Sequence, residues 1–213
     1  MGLVTAAMKV RRVMRRLSGV VVLVLAVGLL VPVGTVTAFA GDERPSRVVL
    51  ADDRRDVWFW DDSPGGETLV GQKRTVDVLR AVAAHRPRVV TSKIRVIDLR
   101  RVGRFQEIET RIQTPANSFA VWVQAKRGNW AGRHVLFSFD TGERVRCPGL
   151  THDIDYEVDR VTVSVPRRCL ESPTWVRLRL QNSLGRRDGA YFDNPHNDRA
   201  WPGTQKTIRL YHP

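Results

Sequence analysis

The residues best placed to do chemistry are the acids and amides Asp188, Asp193, Asn194, Asn197 and Asp198, within the stretch 182–203. Together they offer hard oxygen donors, and calcium takes six to eight of these. Asp188, Asp193, Asn194 and Asp198 are therefore candidate calcium ligands, and no other cofactor is suggested. Their spacing is not that of an EF-hand, and turns use Asp, Asn, Gly and Pro to satisfy their own backbone; an ordinary turn-rich loop is the competing reading. A second group, His152-Asp153-Ile154-Asp155 with Asp159, could place two carboxylates for glycosidic acid–base work. No second carboxylate is tied to it by sequence, so a polar loop between the two cysteines is the expectation. Asp52, Asp53, Asp61 and Asp62 flank Trp58 and Trp60 and read as solvated ends of an aromatic strand.

Nucleophile chemistry finds no foothold. The chain has no G-x-S-x-G, H-E-x-x-H or S-x-x-K motif and no phosphate-cradling glycine loop. Its five histidines, His85, His134, His152, His196 and His212, are scattered. No catalytic residue is assigned. A non-catalytic binding module is expected, with an extracellular hydrolase using loop carboxylates as the alternative.

Aromatic side chains are the best binding elements, since flat rings stack on sugars, although they also dominate sandwich cores. Trp58, Trp122, Trp130, Trp175, Tyr191 and Trp201 are the candidates. Trp130, in a Gly-Asn turn, and Trp201, in the long stretch, are expected at the surface. With Tyr191 and the basic Arg186, Arg187 and Arg199 they form the expected ligand-binding set.

The elements that must position these residues are strands. Residues 56–60 (DVWFW) are aromatic and branched, as strands prefer. Residues 76–85 suit a strand or a helix; the turn at Pro87 and the clean alternation of 89–99 favour a strand pairing back on it. Further alternating runs cover 105–113, 119–125, 134–139, 144–147, 160–165, 174–180 and 207–211. Many short strands with regular turn signals predict an all-β, antiparallel, jelly-roll-like sandwich. Residues 182–203 read as one long loop, of the kind that is functional or unstructured.

The first forty residues set the compartment. Lys9, Arg11, Arg12, Arg15 and Arg16 precede an apolar run over 17–33 and an Ala38-Phe39-Ala40 site. This is the pattern of a cleavable signal peptide. The apolar run also sits at the lower edge for a membrane span, so an uncleaved leader is the one route to a membrane. The expected organisation is 1–40 signal peptide, 41–73 loosely ordered with one strand, and 74–213 a β-sandwich domain. An even pair, Cys147 and Cys169, in an exported chain predicts one disulfide. All three methionines, Met1, Met8 and Met14, fall in the leader, which removes His/Met haem ligation from the rest.

The formal charge is +13; five positive charges precede Gly41, which leaves +8 for the remainder. A basic exported chain could meet a glycan, an anionic wall polymer, anionic lipid or nucleic acid. Its 30 Arg and 5 Lys are scattered along the sequence, so compositional bias competes with a binding face. Nucleic acid is disfavoured unless the arginines merge into one stripe.

The run 77–85 (DVLRAVAAH) followed by 89–99, then Val145-Arg146-Cys147, 161–166, Arg168-Cys169-Leu170 and Pro173-Thr174-Trp175-Val176, resembles a family of secreted bacterial proteins over roughly residues 56–194. The resemblance implies a β-sandwich of the carbohydrate-binding or DOMON type. It implies no activity and no functional residue.

Overall fold

The computed structural model describes residues 44–61, 66–196 and 207–213, all within the compact unit Gly41–Pro213. The strands are β1 (Arg47–Ala51), β2 (Val57–Trp60), β3 (Glu67–Gly71), β4 (Val78–His85), β5 (Val89–Val96), β6 (Phe105–Gln113), β7 (Ser118–Lys126), β8 (Asn129–Ser138), β9 (Glu143–Val145), β10 (Thr151–Asp155), β11 (Arg160–Pro166), β12 (Trp175–Gly185), β13 (Ala190–Asp193) and β14 (Leu210–Tyr211). A 3-10 turn, Arg167–Leu170, precedes β12.

The strands form two antiparallel sheets packed face to face, a β-sandwich as the alternation predicts. One sheet has five strands in the order β1-β4-β5-β11-β10. The other has the order β3-β2-β13-β12-β6-β7-β8-β9, with β14 pairing β12 beside that path. Successive side chains on a strand point to opposite faces, and this sorts the core. Val90, Ser92, Ile94 and Val96 of β5 and Val161, Val163 and Val165 of β11 point inward and are buried. They meet Ile108 and Ile112 of β6, Val121 and Val123 of β7, and Leu178 and Leu180 of β12. Burying one such side chain contributes about 1.5–3 kcal/mol. A smaller cluster of Val57, Val76 and Leu184, with Tyr191 against it, closes one end.

The disulfide forms as expected: Cys147 and Cys169 are joined with their Cα atoms 5.5 Å apart, and both pack against the core. It fastens the segment after β9 to the 3-10 turn.

Three expectations need correction. Residues 41–73 hold three strands rather than one, because β1 finds β4 and β3 finds β2. Residues 152–155 lie in β10, paired residue for residue with β11, rather than in a polar loop. The stretch from 182 is not one loop, because β12 runs on to Gly185 and returns as β13, which pairs both β12 and β2. Gly189 makes that return possible. Its φ is +147°, and a Cβ there would stand 2.1 Å from the Trp60 carbonyl oxygen, so only glycine lets β13 close against β2.

Candidate anion-binding face

The outward face of the five-stranded sheet follows from register alone. Ala51, Arg80, Arg95, Arg160 and Asp155 are successive cross-strand partners along one row. The next row is Val49, Val82, Lys93, Thr162 and Asp153, and the third is Arg47, Ala84, Thr91, Ser164 and Thr151. Arg47, Arg80, Lys93, Arg95 and Arg160 are all exposed. With Val82 and the backbone around Ile94 they line a cavity of about 210 Å³.

The charge balance is one-sided. Only Asp153 and Asp155 oppose it, and both sit on the edge strand β10. Asp155 reaches Arg160 at 3.3 Å. Arg80, Lys93 and Arg95 form no ion pair among the described residues. Like charges directly opposite each other in a sheet are destabilising, so this row works against folding. Strands lie about 4.8 Å apart, which puts Arg80, Arg95 and Arg160 within roughly 10 Å of chain-to-chain distance. A flat array of long, solvated cations can meet several anionic groups of one polymer at once.

The expected ligand-binding set does not assemble. Tyr191 lies on β13, with Arg186 beside it (hydrogen bond 3.1 Å) and Lys73 over its ring at 4.8 Å. Arg187 is exposed near the same hairpin. Trp130 lies on β8, with β12, β6 and β7 between its strand and β13. Its carbonyl accepts from the Tyr156 hydroxyl at 3.0 Å. Trp130 and Tyr191 therefore belong to different parts of the sheet. Trp201 and Arg199 lie outside the described residues.

The expected calcium ligands also part company. Asp188 is exposed at the tip of the β12–β13 turn and pairs with Arg186 at 3.2 Å. Asp193 is buried at the far end of β13, where its Oδ2 accepts from the Val78 N–H at 2.6 Å. The Asn194 Oδ1 accepts from the His196 N–H at 3.3 Å, a turn bond of the competing kind. Asp198 lies outside the described residues. Asp193 instead gathers with Asp52 and Asp56, so Asp52 is no solvated flank. The hydrolase group fares similarly. Asp153 and Asp155 face outward on β10, and the Asp155 Oδ1 is occupied by the N–H groups of Glu157 and Val158.

The other sheet carries an aromatic group that only Trp122 signalled. Trp122, Phe137 and Phe139 meet with ring centroids 5.4–6.3 Å apart, and Phe139 is 41% exposed. Arg111 stands over Phe139, and Glu109 pairs with both Arg111 and Arg179. Glu107, on the same face as Glu109, has its carboxyl pushed up by burial and holds Gln124 at 3.2 Å.

The fold and this face define a two-layer β-sandwich with one cationic sheet surface. Comparisons with protein-family models, with curated proteins and with solved structures found no match. Among the described residues no helix is long and apolar enough to cross a membrane.

Proposed function

We propose that this chain is an exported, non-catalytic module that holds an anionic polymer of the cell envelope on the outer face of its five-stranded sheet. The observation that carries the reading is the row Arg80, Arg95, Arg160, with Lys93 beside it and no carboxylate on that face of the three inner strands β4, β5 and β11. Export rests on the basic, apolar leader of the sequence and on the disulfide, which suits an oxidising compartment. Arg80, Arg95 and Arg160, far apart in sequence, line up in one row, which is the condition set above for nucleic acid and makes it the rival partner of the test.

The test is retention on purified bacterial cell wall across a salt series, with single-stranded DNA as a second matrix. A basic residue near an anionic surface contributes about 1 kcal/mol, so replacing three weakens binding on the order of a hundredfold. The triple variant Arg80→Ser, Arg95→Ser, Arg160→Ser should lose retention, while wild-type binding falls steeply with salt. Salt-insensitive retention, or a triple variant that binds like wild type, overturns the reading. Tighter binding to DNA than to wall would replace the envelope polymer with nucleic acid.

A neutral glycan is the second reading, favoured by the half-buried Trp122 and Phe137 and the exposed Phe139, with Gln124 and Arg111 beside them. Trp122→Ala should then abolish binding that high salt leaves intact.

A further inference from the structure

The β1–β2 connection, the start of β4 and the end of β13 converge at one point. One carboxylate oxygen from each of Asp52, Asp56 and Asp193 lies within 4.8 Å of the others. Asp56 and Asp193 are buried, and Asp52 is partly so. Neither Asp52 nor Asp193 has an ion pair with Lys or Arg among the described residues.

Two further buried oxygens belong to residues that neighbour this cluster. The Asn182 Nδ2 donates to the Val76 carbonyl at 2.9 Å, and the Asp193 Oδ2 accepts from the Val78 N–H. These bonds bracket residue 77 and bring Asp77 between them. Asp77 is fully buried; its Oδ2 accepts from the Arg55 N–H at 3.0 Å, and its Oδ1 has no donor among the described residues. The charge of Asp77 is felt by both Asp52 and Asp193. Asn182, also fully buried, is the cross-strand partner of Asp193, and among the described residues its Oδ1 likewise has no donor. A buried polar atom without a partner is costly, and crowded carboxylates cannot all ionise without a cation.

We propose that Asp52, Asp56 and Asp193, with the Asp77 Oδ1 and the Asn182 Oδ1 behind them, form a divalent-cation site of the calcium class. The donors are all oxygen, with no Cys or His among them, which selects a hard cation over zinc or copper. Burial and mutual repulsion raise the Asp52 carboxyl to about 9 and the Asp193 carboxyl to about 7 in the cation-free protein. A cation here ties β1, in one sheet, to β2 and β13, in the other.

The full chain, stripped with EDTA, is tested with CaCl₂, MgCl₂ and TbCl₃. Calcium should raise the melting temperature, and terbium, sensitised by Trp58 two residues beyond Asp56, should luminesce and be displaced by calcium. Asp193→Asn should weaken calcium binding at least tenfold, and Asp52→Asn serves if that variant does not fold. Asp188→Asn, at the hairpin tip, should bind like wild type. No melting shift and no terbium signal in the wild-type chain overturns the proposal and leaves protons as what the cluster holds. Loss of binding in Asp188→Asn overturns it in favour of the hairpin.

Discussion

Replacing Arg95 with threonine should make the protein more stable and less adhesive. Arg95 is the direct partner of Arg80 on one side and Arg160 on the other. Two guanidinium groups about 7 Å apart in water repel by about 0.6 kcal/mol. The two pairs together therefore cost roughly 1 kcal/mol before screening. At physiological salt the Debye length is about 8 Å, which leaves roughly 0.5 kcal/mol; at 10 mM salt most of the full value returns. Threonine suits the site, because it favours strands and its neighbours on that face include Thr91 and Thr162. Urea denaturation at 10 mM and 150 mM salt should show Arg95→Thr gaining about 1 and about 0.5 kcal/mol respectively. Wall retention should fall over the same comparison. A surface whose removal stabilises the fold is one kept for something other than folding. If Arg95→Thr is destabilised, or its gain does not shrink with salt, the row is not under electrostatic strain and the reasoning fails.

Three other outcomes follow from the geometry. Opening the disulfide with Cys147→Ser and Cys169→Ser should lower stability by about 3 kcal/mol, read as a drop in urea midpoint in the double variant. Gly189→Ala should cost well over 2 kcal/mol, because its Cβ meets the Trp60 carbonyl oxygen at 2.1 Å and φ is in a region side chains avoid; a melting curve like wild type would count against the closure of β13 on β2. Burial, then Arg179, pushes His196 down from 6.5 to about 4, while its Nε2 accepts from the Leu180 N–H. The unfolded chain gains a proton on this ring below 6.5 that the folded chain refuses until near 4, so its stability is complete above 6.5 and is lost as pH falls towards 4. The loss approaches about 3 kcal/mol; the denaturation midpoint lost between pH 7 and 4.5 should be smaller in His196→Gln than in the wild type, and an equal change in both proteins would refute the role.

The strands most legible in the sequence are those buried on one face. Phe105–Gln113 and Arg160–Pro166 alternate because one side meets the core and the other meets water. Three of the strands that escaped, β1, β3 and β10, are edge strands. Glu67–Gly71 has no buried face at all, and Thr151–Asp155 carries a single aliphatic residue, Ile154, among polar ones. Ala190–Asp193 is short and flanked by Gly189 and by Asn194-Pro195, which imitate a loop. The cationic row was invisible for a different reason. Arg80, Arg95 and Arg160 are unremarkable in sequence and become neighbours only through the antiparallel register of three strands. Asp193 and Asp52 each stand out in the sequence, in separate acidic groups, but their meeting with Asp56 does not, because the fold joins segments far apart along the chain.

Consecutive strands β1 and β2 enter opposite layers, so the turn at 52–56 works as a clasp between them. β1 caps the β4 side of one layer, and β2 with β3 caps the β13 side of the other. Cutting the chain at the boundary composition suggests, before residue 74, would therefore bare two rows of unpaired backbone at once. Naked strand borders recruit strands from other molecules. A protein trimmed there should assemble into sticky oligomers, whereas one trimmed ahead of Arg44 keeps both borders covered.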